Sequence, residues 1–295
     1  MQVGRILEEL ATLTGTSNGL ISIADVRWLL DGFAAPLNED LPEIGAFYGS
    51  IPYKMTPEQS LTLDVMRPAG QGPFPVLVYL HGGAWVWGSP ATHRKLTFRL
   101  AQQGFLVFSV DYRLAPEHPF PAGFHDCIDA VNFAKKEAAS WGGNCSKIVL
   151  AGDSAGVNGA AATAIELSNR AEAPSISAVG LLYGVFDFSG IDADPMSAML
   201  ADAYLGQSKH ELIEDPRVSP IKRAADLPPA HIAIGTADPL IEDAETLRAA
   251  LARAGKVHDY RVYSDMPHAF AQMEFLQDSR CAIRRMSDFL HRCLR

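Results

Sequence analysis

Five short apolar runs alternate with amphipathic stretches along the chain. The apolar runs lie at residues 75–80, 105–110, 147–152, 178–184 and 230–235. Continuous apolar runs of this length are typical of strands that are covered on both faces, as in a parallel sheet. Helix-like stretches lie between or after them, at residues 93–104, 126–140, 155–169 and 245–255. The pattern therefore predicts an α/β fold with a mostly parallel central sheet flanked by helices.

Two weaker strands and a terminal helix complete the predicted layers. Residues 60–68, SLTLDVMRP, indicate an antiparallel edge strand at the start of the sheet, and residues 259–264, DYRVYS, indicate a late one. Residues 275–294 carry apolar side chains at three- and four-residue spacing, which is typical of a helix that packs one face on a sheet. These apolar positions are Ile283, Met286, Leu290 and Cys293.

Two segments do not follow the alternation of strands and helices. They cover residues 1 to about 50 and about 188 to 218. Long excursions in a compact domain are often lids over a site, and ordinary surface packing is the alternative. Because no linker of distinct composition divides the chain, residues 1–295 are interpreted as one domain with a small helical cap formed by these two segments.

Charge and cysteine usage exclude several classes of protein. The chain has 25 Lys and Arg against 34 Asp and Glu, a net charge of −9, which predicts no nucleic-acid partner. No run approaches the roughly 18 apolar residues of a membrane span, and the start, MQVGRILEEL, lacks the apolar core of a signal peptide. The four cysteines have no metal-ligand spacing. We therefore expect a cytoplasmic protein with reduced thiols, without membrane contact.

The pentapeptide GDSAG at residues 152–156 is the strongest local signal. It follows an apolar run and precedes a stretch rich in small residues, VNGAAATAIEL. This strand–turn–helix context is that of a nucleophile elbow, in which a serine is presented on a sharp turn. Ser154 is therefore the candidate nucleophile.

A serine hydroxyl needs a base within hydrogen-bond reach and a carboxylate that orients the base. His268, in MPHAF just after the last predicted strand, lies at the same edge of the sheet as Ser154 and is preferred over His210, His231, His258 and His291. Asp238 directly follows the run at 230–235 and is the preferred acid. Its competitors at the start of the next helix and beside the histidine are Glu242, Asp243 and Asp265.

The stretch HGGAWVWG at residues 81–88 follows the first apolar run. A glycine-rich loop at this place supplies backbone N–H donors to the oxyanion of acyl transfer, together with the residue after the nucleophile. The predicted donors are Gly83, Ala84 and Ala155. A positive φ would be unfavourable for alanine, so we expect an ordinary negative φ at Ala84. Trp85 is predicted to line the substrate pocket, and Trp87 either lines it too or packs in the core.

Taken together, these motifs resemble the hormone-sensitive-lipase-like family of α/β hydrolases over residues 60–295. The resemblance also rests on segments at 111–126, 215–220, 226–240 and 266–270. It implies hydrolysis of carboxylic esters through an acyl-enzyme, without metal or cofactor, and carries over Ser154, Asp238 and His268 as the triad. It further implies a cap, a structural role for His81 and the possibility of a homodimer built along the last strand.

The chain departs from the family's pattern in three places: Ala84 in the loop, HAF rather than HGF in the histidine motif, and the N-terminal 60 residues, which match the family poorly. The loop has Ala84 where the family has a third glycine, which narrows the space beside the scissile bond. Related hydrolases with a similar loop cleave N-formylkynurenine, so a formamidase or amidase with the same triad is an alternative to a short- to medium-chain carboxylesterase. A non-catalytic ligand receptor on the same scaffold is a third. A metal cluster of His118, His125 and Asp126 is not expected, because no ligand spacing supports it.

Overall fold

The central element is an eight-stranded sheet in the order β1-β2-β4-β3-β5-β6-β7-β8. The computed structural model describes residues 22–170 and 172–295. The strands are β1 Ala46–Met55, β2 Ser60–Arg67, β3 Phe74–Leu80, β4 Leu106–Val110, β5 Gly143–Asp153, β6 Ile176–Leu182, β7 Ala230–Gly235 and β8 His258–Tyr263. β1, β2 and β4 pair antiparallel, and β4, β3 and β5 to β8 pair parallel. The predicted α/β fold with a mostly parallel sheet is confirmed.

The predicted edge strand at residues 60–68 forms β2, but β2 is an inner strand. β1 lies outside it, with register shifts after Tyr48 and Pro52. Residues 46–50, assigned from the sequence to the N-terminal cap segment, therefore belong to the sheet. The sequence concealed this strand because its irregular pairing interrupts the alternation of apolar and polar residues that marks an edge strand.

Eight helices are found in the part of the chain that the structure describes. They are α1 Ile23–Leu37, α2 Arg94–Gln102, α3 Ala122–Glu137, α4 Ala155–Ser168, α5 Pro195–Leu205, α6 Lys209–Leu212, α7 Ile241–Arg253 and α8 Gln277–Cys293. α8 buries Ile283, Met286 and Leu290, as its spacing predicts, whereas Cys293 is half-buried. Met286 lies against the backbone of β6, where a Cβ at Gly180 would come within 2.5 Å of its sulfur.

Each of the two segments predicted as a cap contains helix in its described part. α1 begins with a capping box, in which the Ser22 hydroxyl accepts from the backbone N–H of Asp25 and the Asp25 carboxylate accepts from that of Ser22. α5 and α6 lie in the second segment, residues 188–218. Residues 1–21 of the first segment, with the signal-peptide prediction made for them, lie outside the described residues.

The core is formed by the central strands and the helices on both faces. Val76 to Leu80 in β3 and Leu106 to Val110 in β4 are fully buried. Each buried aliphatic side chain of this kind contributes about 1.5–3 kcal/mol. All four cysteines are free thiols. Within the described ranges, no helix has both the length and the apolar character needed to cross a bilayer.

Candidate active site

Ser154 lies on a sharp turn between β5 and α4. Its φ of 50° and ψ of −122° are outside the regions that side chains favour. The turn brings α4 so close to β3 that a Cβ at Gly156 would lie 2.0 Å from the carbonyl oxygen of Leu80. Only glycine fits there, which explains the last glycine of GDSAG. The local sequence thus folds into the elbow that its pattern predicted.

The structure brings Ser154, His268 and Asp238 together from three different parts of the chain. The Oγ of Ser154 lies 2.8 Å from Nε2 of His268. On the other side of the ring, Nδ1 lies 2.9 Å from Oδ2 of Asp238. If Nδ1 carries the proton, it donates to the carboxylate and leaves Nε2 free to accept the serine proton.

Asp238 and His268 differ in how deeply their side chains are buried. Asp238 follows β7 and is 2% exposed, and its second oxygen, Oδ1, accepts from the backbone N–H of Leu240 at 2.9 Å. His268 follows β8, with its side chain 21% exposed. A fixed, buried carboxylate and an accessible imidazole are what general-base catalysis requires of these positions.

The competing acids do not contact His268. Oδ2 of Asp243 accepts from the backbone N–H of Phe186 at 2.6 Å and is 3.4 Å from that of Asp187. Burial raises the pKa of Asp243 to about 6, although these hydrogen bonds act in the opposite direction. Glu242 and Asp265 are exposed. Asp243 therefore supports the loop after β6, a role that its place at a helix start did not indicate.

The loop after β3 has an unusual backbone. Gly83, Ala84 and Trp85 have φ angles of 121°, 52° and 63° in succession. The expectation of a negative φ at Ala84 is therefore wrong. The carbonyl oxygen of Gly83 accepts from the N–H groups of Val86 and Trp87, at 3.1 and 2.9 Å, and this tight turn forces the reversal. The positive φ costs about 1–2 kcal/mol at each non-glycine residue.

Two of the predicted oxyanion donors belong to the loop that packs against Ser154, and the third directly follows Ser154. The backbone N–H groups of Gly83 and Ala84 have no acceptor among residues 22–170 and 172–295. That of Ala155 is the first of α4, where helical N–H groups have no intrahelical partner and attract negative charge. The loop packs against the nucleophile, since a Cβ at Gly82 would lie 3.1 Å from Cβ of Ser154.

A buried carboxylate that sequence reasoning missed connects the loop to the elbow. Asp153, directly before Ser154, accepts from the phenol of Tyr79 at 2.6 Å and from the backbone N–H of Gly82 at 2.8 Å. The amide of Gln272 donates to its other oxygen at 3.2 Å. Burial raises the pKa of Asp153, but His93 and these hydrogen bonds outweigh it and lower the pKa to about 2. The one available signal was a charge at the end of an apolar strand.

His81 lies in the same buried region and makes no contact with the reacting groups. Its Nδ1 is 2.8 Å from the carbonyl oxygen of Gly82, and its ring stacks on Tyr112 at 4.3 Å. Burial, followed by the neighbouring His93, lowers the pKa of His81 to about 3. A neutral, enclosed imidazole of this kind fits the structural role that the family resemblance implied.

The two tryptophans of the loop have different surroundings. Trp85 stacks on Tyr204 of α5, with ring centroids 4.7 Å apart and planes 13° from parallel. It lines a narrow cavity beside the elbow, whose other walls include Tyr112, Phe124, Ala155, Tyr204 and Arg217. Trp87 instead packs beneath α1, and its Nε1 donates to Oδ1 of Asp31 at 2.7 Å. Of the two, only Trp85 lines this cavity.

Of the residues considered for a metal cluster, Asp126 is engaged in other contacts. Asp126 is fully buried and accepts from Arg113 at 2.7 Å and from Lys54 at 3.2 Å. In the described ranges, no group of three or more His, Cys, Asp or Glu side chains is arranged to hold a metal ion.

Comparison with known proteins gives consistent relatives. A family model described as alpha/beta hydrolase fold matches residues 77–272. The carboxylic ester hydrolase LipN of Mycobacterium tuberculosis is 34% identical over 70% of this chain and 60% of its own length. The carboxylesterase NlhH of the same organism is 34% identical over 64% of each chain. The matched region thus spans less than two thirds of these two relatives.

Solved structures of esterases superpose on most of the chain. An esterase of Pyrobaculum calidifontis superposes with a TM-score of 0.82 at 29% identity and covers 93% of this chain and 94% of its own. EstE1, a thermostable carboxylesterase cloned from a metagenomic library, superposes with a TM-score of 0.84 at 26% identity and covers 93% and 98%.

Proposed function

The chain belongs to the alpha/beta hydrolase fold family, as its hormone-sensitive-lipase-like motifs predicted, and from this we propose that it hydrolyses carboxylic esters with short- to medium-chain acyl groups. The observation that carries the proposal is the continuous path from Ser154 through His268 to Asp238, with hydrogen bonds of 2.8 and 2.9 Å. The relatives named above are esterases, which favours ester hydrolysis over the formamidase alternative.

The cycle begins when Nε2 of His268 accepts the proton of Ser154 while Oγ attacks the ester carbonyl. The buried carboxylate of Asp238 stabilises the imidazolium that forms. The N–H groups of Gly83, Ala84 and Ala155 donate to the oxyanion, and one such donor is worth about 3–4 kcal/mol to the transition state. His268 then protonates the leaving alcohol. His268 next takes a proton from water, whose oxygen attacks the acyl carbon, and then returns that proton to Oγ of Ser154 as the acyl–Oγ bond breaks and the carboxylic acid leaves.

The cavity between the loop and α5 limits the size of the substrate. The cavity that Trp85 and Tyr204 wall is narrow and aromatic, which suits a small apolar acyl or alcohol group. The two segments at 22–45 and 188–218 act as the cap in this proposal, because α1 and α5 both contact the loop that carries the oxyanion donors. The cytoplasmic location and the homodimer stay predictions.

Replacement of the nucleophile tests the proposal most directly. We expect Ser154→Ala to lower kcat on a short p-nitrophenyl ester by at least about 10⁴-fold, because the acyl-enzyme cannot form. Ser168→Ala is the matched control, since its hydroxyl lies at the opposite end of α4, where it donates to the carbonyl oxygen of Ile165 and accepts from the side-chain amide of Asn169. Turnover of Ser154→Ala within tenfold of the unmodified protein would exclude Ser154 as the nucleophile.

Comparison of substrates separates the alternatives. Rates on an acyl-length series of esters and on N-formylkynurenine, measured side by side, are expected to favour a short ester. Faster cleavage of N-formylkynurenine would replace the esterase by a formamidase. A protein that hydrolyses neither and whose Ser154 resists a fluorophosphonate would be a receptor on this scaffold.

A further inference from the structure

The oxyanion loop, residues 82–88, is held from outside by the N-terminal helix α1. Three successive residues of the loop have positive φ, and two of them, Ala84 and Trp85, carry side chains that disfavour it. A backbone of this kind persists only when its surroundings determine it. The contacts that do so are therefore part of what places the donors.

The carbonyl groups of Trp85 and Val86, at the end of the strained stretch, both accept hydrogen bonds from distant parts of the chain. The carbonyl oxygen of Trp85 accepts from the backbone N–H of Ala115 at 2.9 Å. The carbonyl oxygen of Val86 accepts from Nε of Arg27 at 2.8 Å. The same guanidinium also donates to the carbonyl oxygen of Ala115 at 3.0 Å. Arg27 thus ties the loop to the segment that already binds it.

Arg27 is itself fixed by a two-pronged ion pair. Its two terminal nitrogens donate to the two oxygens of Glu117, at 2.8 and 2.6 Å. This geometry orients the guanidinium plane as well as its charge. With the bonds to Val86 and Ala115, the guanidinium uses Nε and both terminal nitrogens, so lysine, a point charge, does not substitute for it.

A second residue of α1 forms a hydrogen bond with the other end of the loop. Asp31 accepts from the indole Nε1 of Trp87 at 2.7 Å. It lies four residues after Arg27, so the two side chains share one face of the helix. α1 therefore presents a cation and an anion to the same loop, one to its backbone and one to its last indole.

We propose that Arg27, assisted by Asp31, is a positioning residue that keeps the N–H groups of Gly83 and Ala84 directed at the oxyanion of the bound ester. The inference rests on the proposed function, because the donors act on the intermediate of ester hydrolysis. α1 then belongs to the scaffold of the catalytic centre in addition to covering it.

This role predicts that loss of Arg27 affects kcat and KM differently. Backbone donors of an oxyanion hole act mainly in the transition state, when negative charge develops on the carbonyl oxygen. Loosening them lowers kcat and leaves ground-state binding nearly unchanged. If Arg27 contributed only to global stability, its loss would lower the melting temperature without changing kcat per titrated active site.

The test replaces Arg27 by methionine, which keeps an unbranched, helix-favouring side chain. We expect kcat on a short ester, per active site titrated with a fluorophosphonate, to fall more than fivefold while KM stays within twofold. Affinity for a boronic acid that forms a tetrahedral adduct on Ser154 is expected to fall by the same factor. Arg170→Met is the matched control, because the exposed guanidinium of Arg170 pairs with Glu166 on the surface of α4. We expect no change in that variant.

A second pair of variants guards against poor folding of the first. Asp31→Ala removes the acceptor of Trp87 and is expected to lower kcat, whereas Asp31→Asn retains an acceptor oxygen and is expected to restore it. A fall in kcat below fivefold for Arg27→Met, a change in KM alone, or equal rates for the two Asp31 variants would each overturn the proposal.

Hydrogen exchange provides a measurement that needs no substrate. The amides of Val86 and Trp87 are bonded to the carbonyl oxygen of Gly83 at 3.1 and 2.9 Å, so they report whether the turn stays closed. We expect their exchange to accelerate at least fivefold in Arg27→Met. If the unmodified protein hydrolyses no ester, the proposed function fails, and this exchange still decides whether Arg27 holds the loop.

Discussion

Ala84 carries a methyl group on a backbone conformation that favours glycine. Its φ of 52° lies in the left-handed region, and its side chain is only partly buried. The methyl group thus costs conformational energy and, in the proposed mechanism, occupies space next to the scissile bond. The strain is retained because the surrounding turn determines it, which is typical of functional loops.

Ala84→Gly is expected to stabilise the protein and to widen the site. Relief of about 1–2 kcal/mol of strain exceeds the free-energy cost of glycine's greater conformational freedom in the unfolded chain. The free energy of unfolding therefore rises by about 0.5–1 kcal/mol. Thermal melts should show a rise in Tm of about 1–2 °C. Esters of tertiary alcohols should also be hydrolysed faster relative to primary ones.

Ala139→Gly is a suitable contrast, since Ala139 is exposed in the turn at Ala138–Trp141 and has no positive φ. It should lower Tm. If Ala84→Gly lowers Tm as well, the strain at residue 84 is too small to matter; if the alcohol preference does not change, the steric argument is wrong.

Single residues could be predicted where chemistry and chain order both constrain them. The contact of Ser154, His268 and Asp238 could be predicted because each lies shortly after a recognisable strand. Asp153 and Arg27 could not, because their roles depend on partners such as Gln272 and Val86, 119 and 59 residues away. Contacts across such distances leave no pattern in a single sequence.

At the scale of elements, α7 and the loop after β6 are joined by the half-buried carboxylate of Asp243. Asp243 in the first turn of α7 accepts backbone N–H groups of that loop, and burial raises its pKa to about 6. A folded-state pKa above the unfolded value of 3.8 means that the folded state binds the proton more tightly. Ionisation of Asp243 therefore reduces the free energy of unfolding as the pH rises from about 4 to about 6.

Asp243→Asn removes this ionisation and keeps an acceptor oxygen for the loop. We expect the variant to be more stable than the unmodified protein above pH 6, by about 1–2 kcal/mol, and the difference to shrink towards pH 4. Thermal melts between pH 4 and 7.5 measure it. Glu245→Gln, which removes an exposed carboxylate from the same helix, controls for net charge. A stability difference that does not vary with pH would refute the assignment to Asp243.

The elements themselves were predicted unevenly, for a physical reason. The buried strands β3 to β7 were predicted because they are continuous apolar runs. β1 was missed because irregular register breaks its pattern, and its first residues, 46–50, were placed in the cap. Helical segments such as α5 depend on packing against Trp85 and its neighbours, which no local periodicity reveals.

At the scale of the whole molecule, the chain is held without covalent cross-links. All four thiols are free, and Cys127 is 3% exposed. Burial raises the pKa of the Cys127 thiol, so its reactive thiolate form is scarce. Cys145, Cys281 and Cys293 are half-buried.

We expect a mild thiol reagent to modify at most these three half-buried cysteines in the folded protein and the fourth only after denaturation. Reductant should leave Tm unchanged within about 1 °C, because no disulfide constrains the unfolded chain. Mass spectrometry of the labelled protein identifies the sites. Early labelling of Cys127 or a Tm that depends on reductant would contradict the arrangement.

The sheet order has a consequence for the protein while it is being made. Ser154 and its base are 114 residues apart in the chain. At about 5–20 residues per second, roughly 6–23 s separate the synthesis of the nucleophile from that of the imidazole that activates it. A nascent chain can therefore complete the elbow and the loop that faces it while its serine is still an ordinary alcohol. In the proposed mechanism, hydrolysis therefore requires that the last two strands have joined the sheet.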